Sequence, residues 1–269
     1  MTTEVKNKLS VVKKHIYIIK SMVVKNVKNQ YRRSVLGIVW TVLNPLLNMI
    51  VLALVFTNIF GRDMQAGMDF AVYVLTGNIV MGIFRGSTSA ALPSMVSNYD
   101  LMTKTKVPYY IFPVANVFSA VVNFGFSLIA LFAVMAYKMS AGVEFHWTIL
   151  LMPVTFLPAI MLFSIGVSFI LCTMYVYFRD IKHIYGVFLT LLTYCTPLFY
   201  DISIMSESMQ EVIKFNPMYH FVTYFRDIMV LGVIPSARDT ITIFGLGVVF
   251  MILGVIIFRW KRKKFVFNI

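Results

Sequence analysis

The chain has 269 residues, 59% of them hydrophobic, with a mean hydropathy of +0.81 and only 13% charged residues. A water-soluble particle of this size cannot hide that much apolar surface, and lipid is the solvent that tolerates it. The net charge of +13 raises nucleic acid as a partner, but no soluble reading module accompanies any basic patch, so no nucleic-acid binding is expected.

Residues 1–34 come first. Leu9, Val12, Ile16, Ile19, Val23 and Val27 recur at steps of three and four and share one stripe of a helix. Lys13, Lys20, Lys25 and Lys28 fall on the adjoining and opposite faces. A basic amphipathic helix of this kind lies in the membrane interface with its lysines toward anionic lipid headgroups; a solvated basic arm is the other reading. The same 34 residues carry nine Lys and Arg and no continuous apolar core, so no secretory signal peptide is expected.

Six apolar runs follow, at 35–60, 70–92, 111–137, 149–177, 184–200 and 241–258. At about 1.5 Å per residue the first spans a ~30 Å hydrocarbon core with length to spare, and the fifth sits at the low edge of a span. Each must be helical, because lipid offers no partner for a free backbone N–H or C=O. The expectation is an all-α integral membrane protein with a six-span domain over 35–258.

The loop charges orient it. With the N-terminus in the cytoplasm, the inner segments are 1–34, 93–110, 178–183 and the basic tail 259–269. They hold 18 of the 24 Lys and Arg against Glu4, Asp100 and Asp180, a net of +15. The outer loops hold five basic residues against eight acids, a net of −3. Such an asymmetry is what the positive-inside rule produces, and it places both termini in the cytoplasm.

The external stretch 201–240 is too apolar for a free loop and too short to span. Two short re-entrant helices are expected there, broken at Asn216-Pro217 because proline cannot continue a helix. Cys172 and Cys195 lie in apolar runs toward opposite faces, so no disulfide is expected.

No phosphate-binding loop, H-E-x-x-H or C-x-x-C spacing occurs. Neither a metal site, a cofactor site nor a catalytic residue is expected in the chain. The predicted spans carry no acid, against a proton-coupled transporter, and no histidine deep in a span, against a membrane-embedded transferase. A single charged residue, Arg85, falls within a span. Either it snorkels to the inner interface or it lines an aqueous path for an anionic substrate. The aromatics Tyr73, Tyr194, Phe199, Tyr200, Tyr219, Phe221, Tyr224 and Phe225 gather toward the outer face. They read either as an interfacial belt or as a pore mouth in which sugar rings stack; Tyr194 and Tyr200 separate the two.

The stretch Tyr31-Arg32-Arg33-Ser34-Val35-Leu36-Gly37-Ile38-Val39-Trp40, followed by Asn44-Pro45-Leu46-Leu47, resembles the permease subunits of ABC-2 type polysaccharide exporters, which carry O-antigen, capsule or teichoic acid. Asn98-Tyr99-Asp100-Leu101 through Lys104, Lys106, Val107 and Pro108 resembles the family's first coupling region. Phe178-Arg179-Asp180-Ile181 resembles its short second cytoplasmic loop, and Asn216-Pro217 with Phe225-Arg226-Asp227 its external segment. The family often closes the first coupling region with an aromatic-Pro pair. Here Val107-Pro108 precedes Tyr109 and Tyr110, or Phe112-Pro113 is the equivalent, so the boundary shifts by a few residues.

The resemblance implies a homodimer joined to two ATPase subunits that bind ATP and Mg, moving a lipid-linked glycan outward across the bacterial cytoplasmic membrane. Asn98, Asp100, Leu101, Lys104, Lys106, Arg179 and Asp180 would then touch the ATPase. Tyr31, Arg32, Arg33, Ser34, Gly37 and Trp40 would form the entrance motif, and Arg85, Tyr194, Tyr200, Asn216, Pro217 and Tyr219 a pore or external gate. The alternatives are an ABC-2 permease for a drug or lipid and, further off, a membrane-embedded transferase.

Overall fold

A computed structural model describes residues 3–31, 36–60, 68–105, 107–262 and 265. Among them every regular element is helical. α1 covers Thr3–Tyr31, α2 Trp40–Phe60, α3 Phe70–Ala91, α4 Ser94–Ser97, α5 Tyr99–Lys104 and α6 Ile111–Tyr137. They are followed by α7 at Leu157–Tyr177, α8 at Ile181–Tyr194, α9 at Glu207–Lys214, α10 at Pro217–Arg226 and α11 at Ala237–Lys261.

Four of the helical stretches, Phe70–Ala91, Ile111–Ser140, Trp147–Tyr177 and Ala237–Lys261, are long and apolar enough to cross a membrane. α2 adds 21 residues interrupted by Pro45. The fifth predicted run is different. Its helix, α8, starts at Ile181, three residues early, and stops after 14 residues at Tyr194. At about 1.5 Å per residue that is ~21 Å, short of a ~30 Å core. Pro197 is the reason: it lacks an N–H and disfavours helical geometry at Thr196, so the chain leaves the helix over 195–200.

α3 is central, packed against α2, α6, α7 and α10, while α7 and α11 form the most extensive helix pair. Their crossing depends on missing side chains. A Cβ on Gly166 would overlap the Phe250 carbonyl, and one on Gly254 would overlap the Gly166 carbonyl. Backbone-to-backbone approach is how helices pack in lipid, where apolar side chains gain little by leaving the solvent.

At one end of the bundle, α10 is driven into the interior. Phe221 and Phe225 are fully buried, with ring centroids 5.3 Å from Phe163 and 4.9 Å from Phe156 respectively. Pro217 at its first turn and the Asn216 side chain, which accepts from the Met218 N–H at 2.9 Å, fix where it starts. α9 stays on the surface, burying only Ile213. The aromatic set is therefore divided: Tyr73, Phe221, Tyr224 and Phe225 are core, and neither a belt nor a pore mouth describes them.

At the opposite end, here called the basic end, α1 lies along α6. Asn26 Nδ2 donates to Asn116 Oδ1 at 3.1 Å and to Ser119 Oγ at 3.3 Å, and Asn123 Nδ2 donates to Gln30 Oε1 at 3.0 Å. Val12 and Ile16, on the apolar stripe, remain exposed.

Gly254→Val inserts two methyls and a Cβ where only backbone fits. The expected overpacking of about 1–3 kcal/mol lowers the melting temperature of the purified protein in mild detergent, whereas Gly245→Val, at an open position of the same helix, leaves it unchanged.

Candidate functional site

Three groups of residues stand out, beginning where α8 unwinds. The carbonyls over 194–200 have lost helical partners, and each of four is met from within the protein. Asn216 Nδ2 donates to Cys195 O at 3.2 Å. Arg226 donates to Pro197 O at 3.0 Å, and Tyr73 Oη shares its one proton between Pro197 O at 3.1 Å and Tyr200 O at 2.8 Å. Tyr200 Oη donates to Tyr194 O at 2.9 Å.

Arg226 is 5% exposed, and among the described residues no carboxylate comes within ion-pair distance. A buried cation needs hydrogen bonds in place of hydration. Besides Pro197 O, it donates to Tyr73 O at 3.0 Å and Thr76 Oγ1 at 3.4 Å, with its guanidinium 3.5 Å from the Tyr73 ring centroid. Gly77 makes the room, since a Cβ there would lie 2.9 Å from Arg226. Burial presses the guanidinium pKa down while Tyr73, Asp201 and Asp227 push it up; an arginine stays charged under such opposition. Next to it, burial and then Asp239 raise the Asp227 carboxyl to about 6 against the pull of Arg226.

The second group lines a cavity of about 490 Å³ between α2, α3 and α6. Asn44, Asn48, Asn78, Asn123 and Ser127 face it, and Arg85 stands at its edge. Arg85 is exposed on α3 and donates to Thr193 Oγ1 of α8 at 2.6 Å. It thus reaches to a neighbouring helix. Asn78 Nδ2 and Asn123 Oδ1 are buried without a hydrogen-bond partner among the described residues. Leaving such a group unpaired costs about 1–3 kcal/mol.

The third group is the basic end. α5 is anchored by Met102, buried in a cluster with Met95, Phe112, Phe169, Cys172, Val176 and Phe258. Asn98 donates from Nδ2 to Ser94 O at 2.8 Å, locking the α4–α5 corner. The outward face carries Tyr99, Asp100, Leu101 and Lys104, all exposed; the Lys104–Asp100 pair at 3.8 Å is solvated and contributes little. The same cluster holds the last turns of α7, beyond which Phe178 is 71% exposed and Arg179 lies over the Tyr175 ring at 5.2 Å. One apolar cluster therefore braces both Asn98–Lys104 and the loop with Arg179 and Asp180.

Of the entrance motif, Gly37 has φ +50, a backbone conformation that favours glycine, and Trp40 opens α2 half-buried. The Tyr31 side chain, Arg32, Arg33, Ser34 and Lys106 lie outside the described residues, as do 263–264 and 266–269 of the tail. Tyr194, Tyr200, Asn216 and Pro217 are brought together around the unwound segment. Tyr219 is half-buried on α10 beside His220. Among the described residues no group of His, Cys, Asp or Glu could hold a metal.

The comparisons with known proteins match this architecture from near one end to the other. A family described as ABC-2 type transporter matches residues 17–230. The chain belongs to the ABC-2 type transporter family. Within it, the chain is 31% identical over 248 residues to the O-antigen export system permease protein RfbA of Myxococcus xanthus, covering 91% of this chain and 92% of that one. It is 27% identical to the protein of the same name from Klebsiella pneumoniae, over 90% of each. The polysialic acid transport protein KpsM of Escherichia coli is 18% identical over 91% of this chain and 93% of its own.

Sequence reasoning missed two things in this ABC-2 protein. It counted Arg226 as a charge in an outer loop, although the pair Arg226-Asp227 set between the apolar Phe221–Phe225 and Ile228–Leu231 already signals a buried group in need of acceptors. It also overlooked the asparagines at 48, 78, 116 and 123 and took Asn44 only as part of a family motif, although each is a polar side chain inside an apolar run and thus a functional candidate by default.

Arg226→Lys keeps the charge but cannot hold the fork of carbonyls, and the lost charge-assisted bonds are expected to cost at least about 2 kcal/mol. Faster proteolysis within 201–240 checks this. For Asp227, an ordinary carboxylate ionises near 3.9 when unfolded, while the folded group waits until about 6. Between those values the unfolded chain binds fewer protons, so stability falls as pH rises from about 4 through about 6. Asp227→Asn flattens that part of a melting-temperature profile.

Proposed function

We propose that the chain is the membrane subunit of an ATP-driven exporter that moves a lipid-linked polysaccharide outward across the bacterial cytoplasmic membrane. The observation that carries this is the end-to-end likeness to O-antigen export permeases, about nine-tenths of each chain, added to the Tyr31–Trp40 entrance motif. Capsule and polysialic acid permeases are similar at lower identity, so the lipid-linked glycan is a bacterial surface polysaccharide.

In this reading two copies of the chain pair, and two ATPase subunits, which hold ATP and Mg, sit under the basic end. The chain itself contributes no catalytic group. Six segments span the membrane, α8 with the unwound 195–200 making one of them, and both termini face the cytoplasm. Exposed Tyr99, Leu101 and Phe178, ringed by Asp100, Lys104, Arg179 and Asp180, form the surface the ATPase grips. Force on either loop passes through Met102 and Val176 into one apolar cluster, and so into α7 and its partner α11. Closure on ATP then biases one packing of the spans over another.

Purification of the tagged protein from native membranes in mild detergent tests the reading. Recovery of a chain with a phosphate-binding loop together with a polyprenyl-linked glycan is the expected result; the protein alone, or an ATPase with phospholipid only, would sink it. Asp100→Arg and Arg179→Glu are expected to insert normally and to separate ATP hydrolysis from export. Unchanged export in both removes these residues from the coupling surface.

A further inference from the structure

Four polar residues of α6, Asn116, Ser119, Asn123 and Ser127, follow one another at steps of three and four and so share one helix face. The half nearer the basic end is covered: Asn26 of α1 bonds Asn116 and Ser119, and Gln30 bonds Asn123. From Asn123 onward the stripe becomes a wall of the cavity, where Asn123 and Ser127 join Asn44 and Asn48 of α2 and Asn78 of α3.

We propose that this cavity is a carbohydrate-binding site that holds a sugar ring of the cargo while it crosses the membrane. The inference rests on the polysaccharide reading above and gives it a location. The lining decides the ligand class. Four asparagine amides and a serine offer both donors and acceptors, as a ring bearing several hydroxyls requires, and none of the described residues that line the cavity is a carboxylate. Arg85 at the edge supplies one cation, suited to an acidic sugar or to the phosphate of the lipid link. Its volume of about 490 Å³ lies within the range of small-molecule sites.

Asn78 Nδ2 and Asn123 Oδ1, one a donor and the other an acceptor, have no partner among the described residues. Both atoms are shielded from solvent, so a hydroxyl meets them only when an amide turns toward the cavity. Polar side chains at this depth in a membrane domain are costly unless something answers them, and an apolar chain cannot.

The test uses the complete transporter in cells that export the polysaccharide. A photoreactive benzoylphenylalanine replaces Asn48, Ser127 or, as a control, Ile256, which is exposed on α11. After irradiation the permease is purified and stained for periodate-oxidisable sugar. The expected result is a glycan adduct at Asn48 and Ser127, none at Ile256, and loss of the Asn48 adduct when Asn78→Leu is added. Adducts to phospholipid only, or none, in cells whose surface polysaccharide still depends on this protein would overturn the site while leaving the export reading intact; a cavity filled by water alone gives that result. Surface polysaccharide that persists when the gene is deleted would overturn both.

Discussion

A backbone that leaves the helix inside a membrane domain must have its polar groups met by protein, and that constraint organises one whole end of this molecule. α8 stops at Tyr194, and the carbonyls of Tyr194, Cys195, Pro197 and Tyr200 each accept from a side chain. Arg226, Tyr73 and Asn216 answer them from α10, α3 and the corner between α9 and α10. A buried arginine without a carboxylate looks anomalous until its ligands are counted as main-chain oxygens. The guanidinium has five N–H donors and no acceptor, so it suits a cluster of carbonyls and little else.

The same arrangement links distant parts of the chain. α10 is held down by its cation as well as by Phe221 and Phe225, and Thr148 adds a bond from the entry of α7 to Ile228 O at 2.7 Å. Any widening of the bundle at this end must move α3, the unwound segment and α10 together. The basic end is built on a different principle. There a shared apolar cluster supports two short exposed loops, so that a push on either is felt by α7. A stiff knot at one end and a braced contact surface at the other suit a body that is moved by a partner.

Between the two ends lies the polar interior of α2, α3 and α6. Amides inside apolar helices are ordinarily satisfied by neighbouring helices, and the lower half of the α6 stripe follows that rule through Asn26 and Gln30. The upper half does not, and the cavity forms there. α1 thus covers the lower half of that stripe with its last turns, while Val12 and Ile16 stay exposed.

Composition and apolar run length by themselves determined that this is an all-α membrane protein, because burial of so much apolar surface and satisfaction of the backbone in lipid allow little else. The break at Asn216-Pro217, the limits of α3 and α6 and the end of α7 were legible for the same reason: proline chemistry and hydropathy act locally. The Tyr31–Trp40 motif was equally readable as a family mark. Only the tertiary structure decided that the fifth apolar run is a short helix with an unwound end, since hydropathy records that a segment is apolar and is blind to where its hydrogen bonds go. It also decided that Tyr73 and Phe225 are core, that Arg226 donates to carbonyls and that four scattered asparagines line one cavity. Those are facts about residues as far as 153 positions apart, and their meeting depends on how helices cross, as at Gly166 and Gly254, which no local pattern encodes.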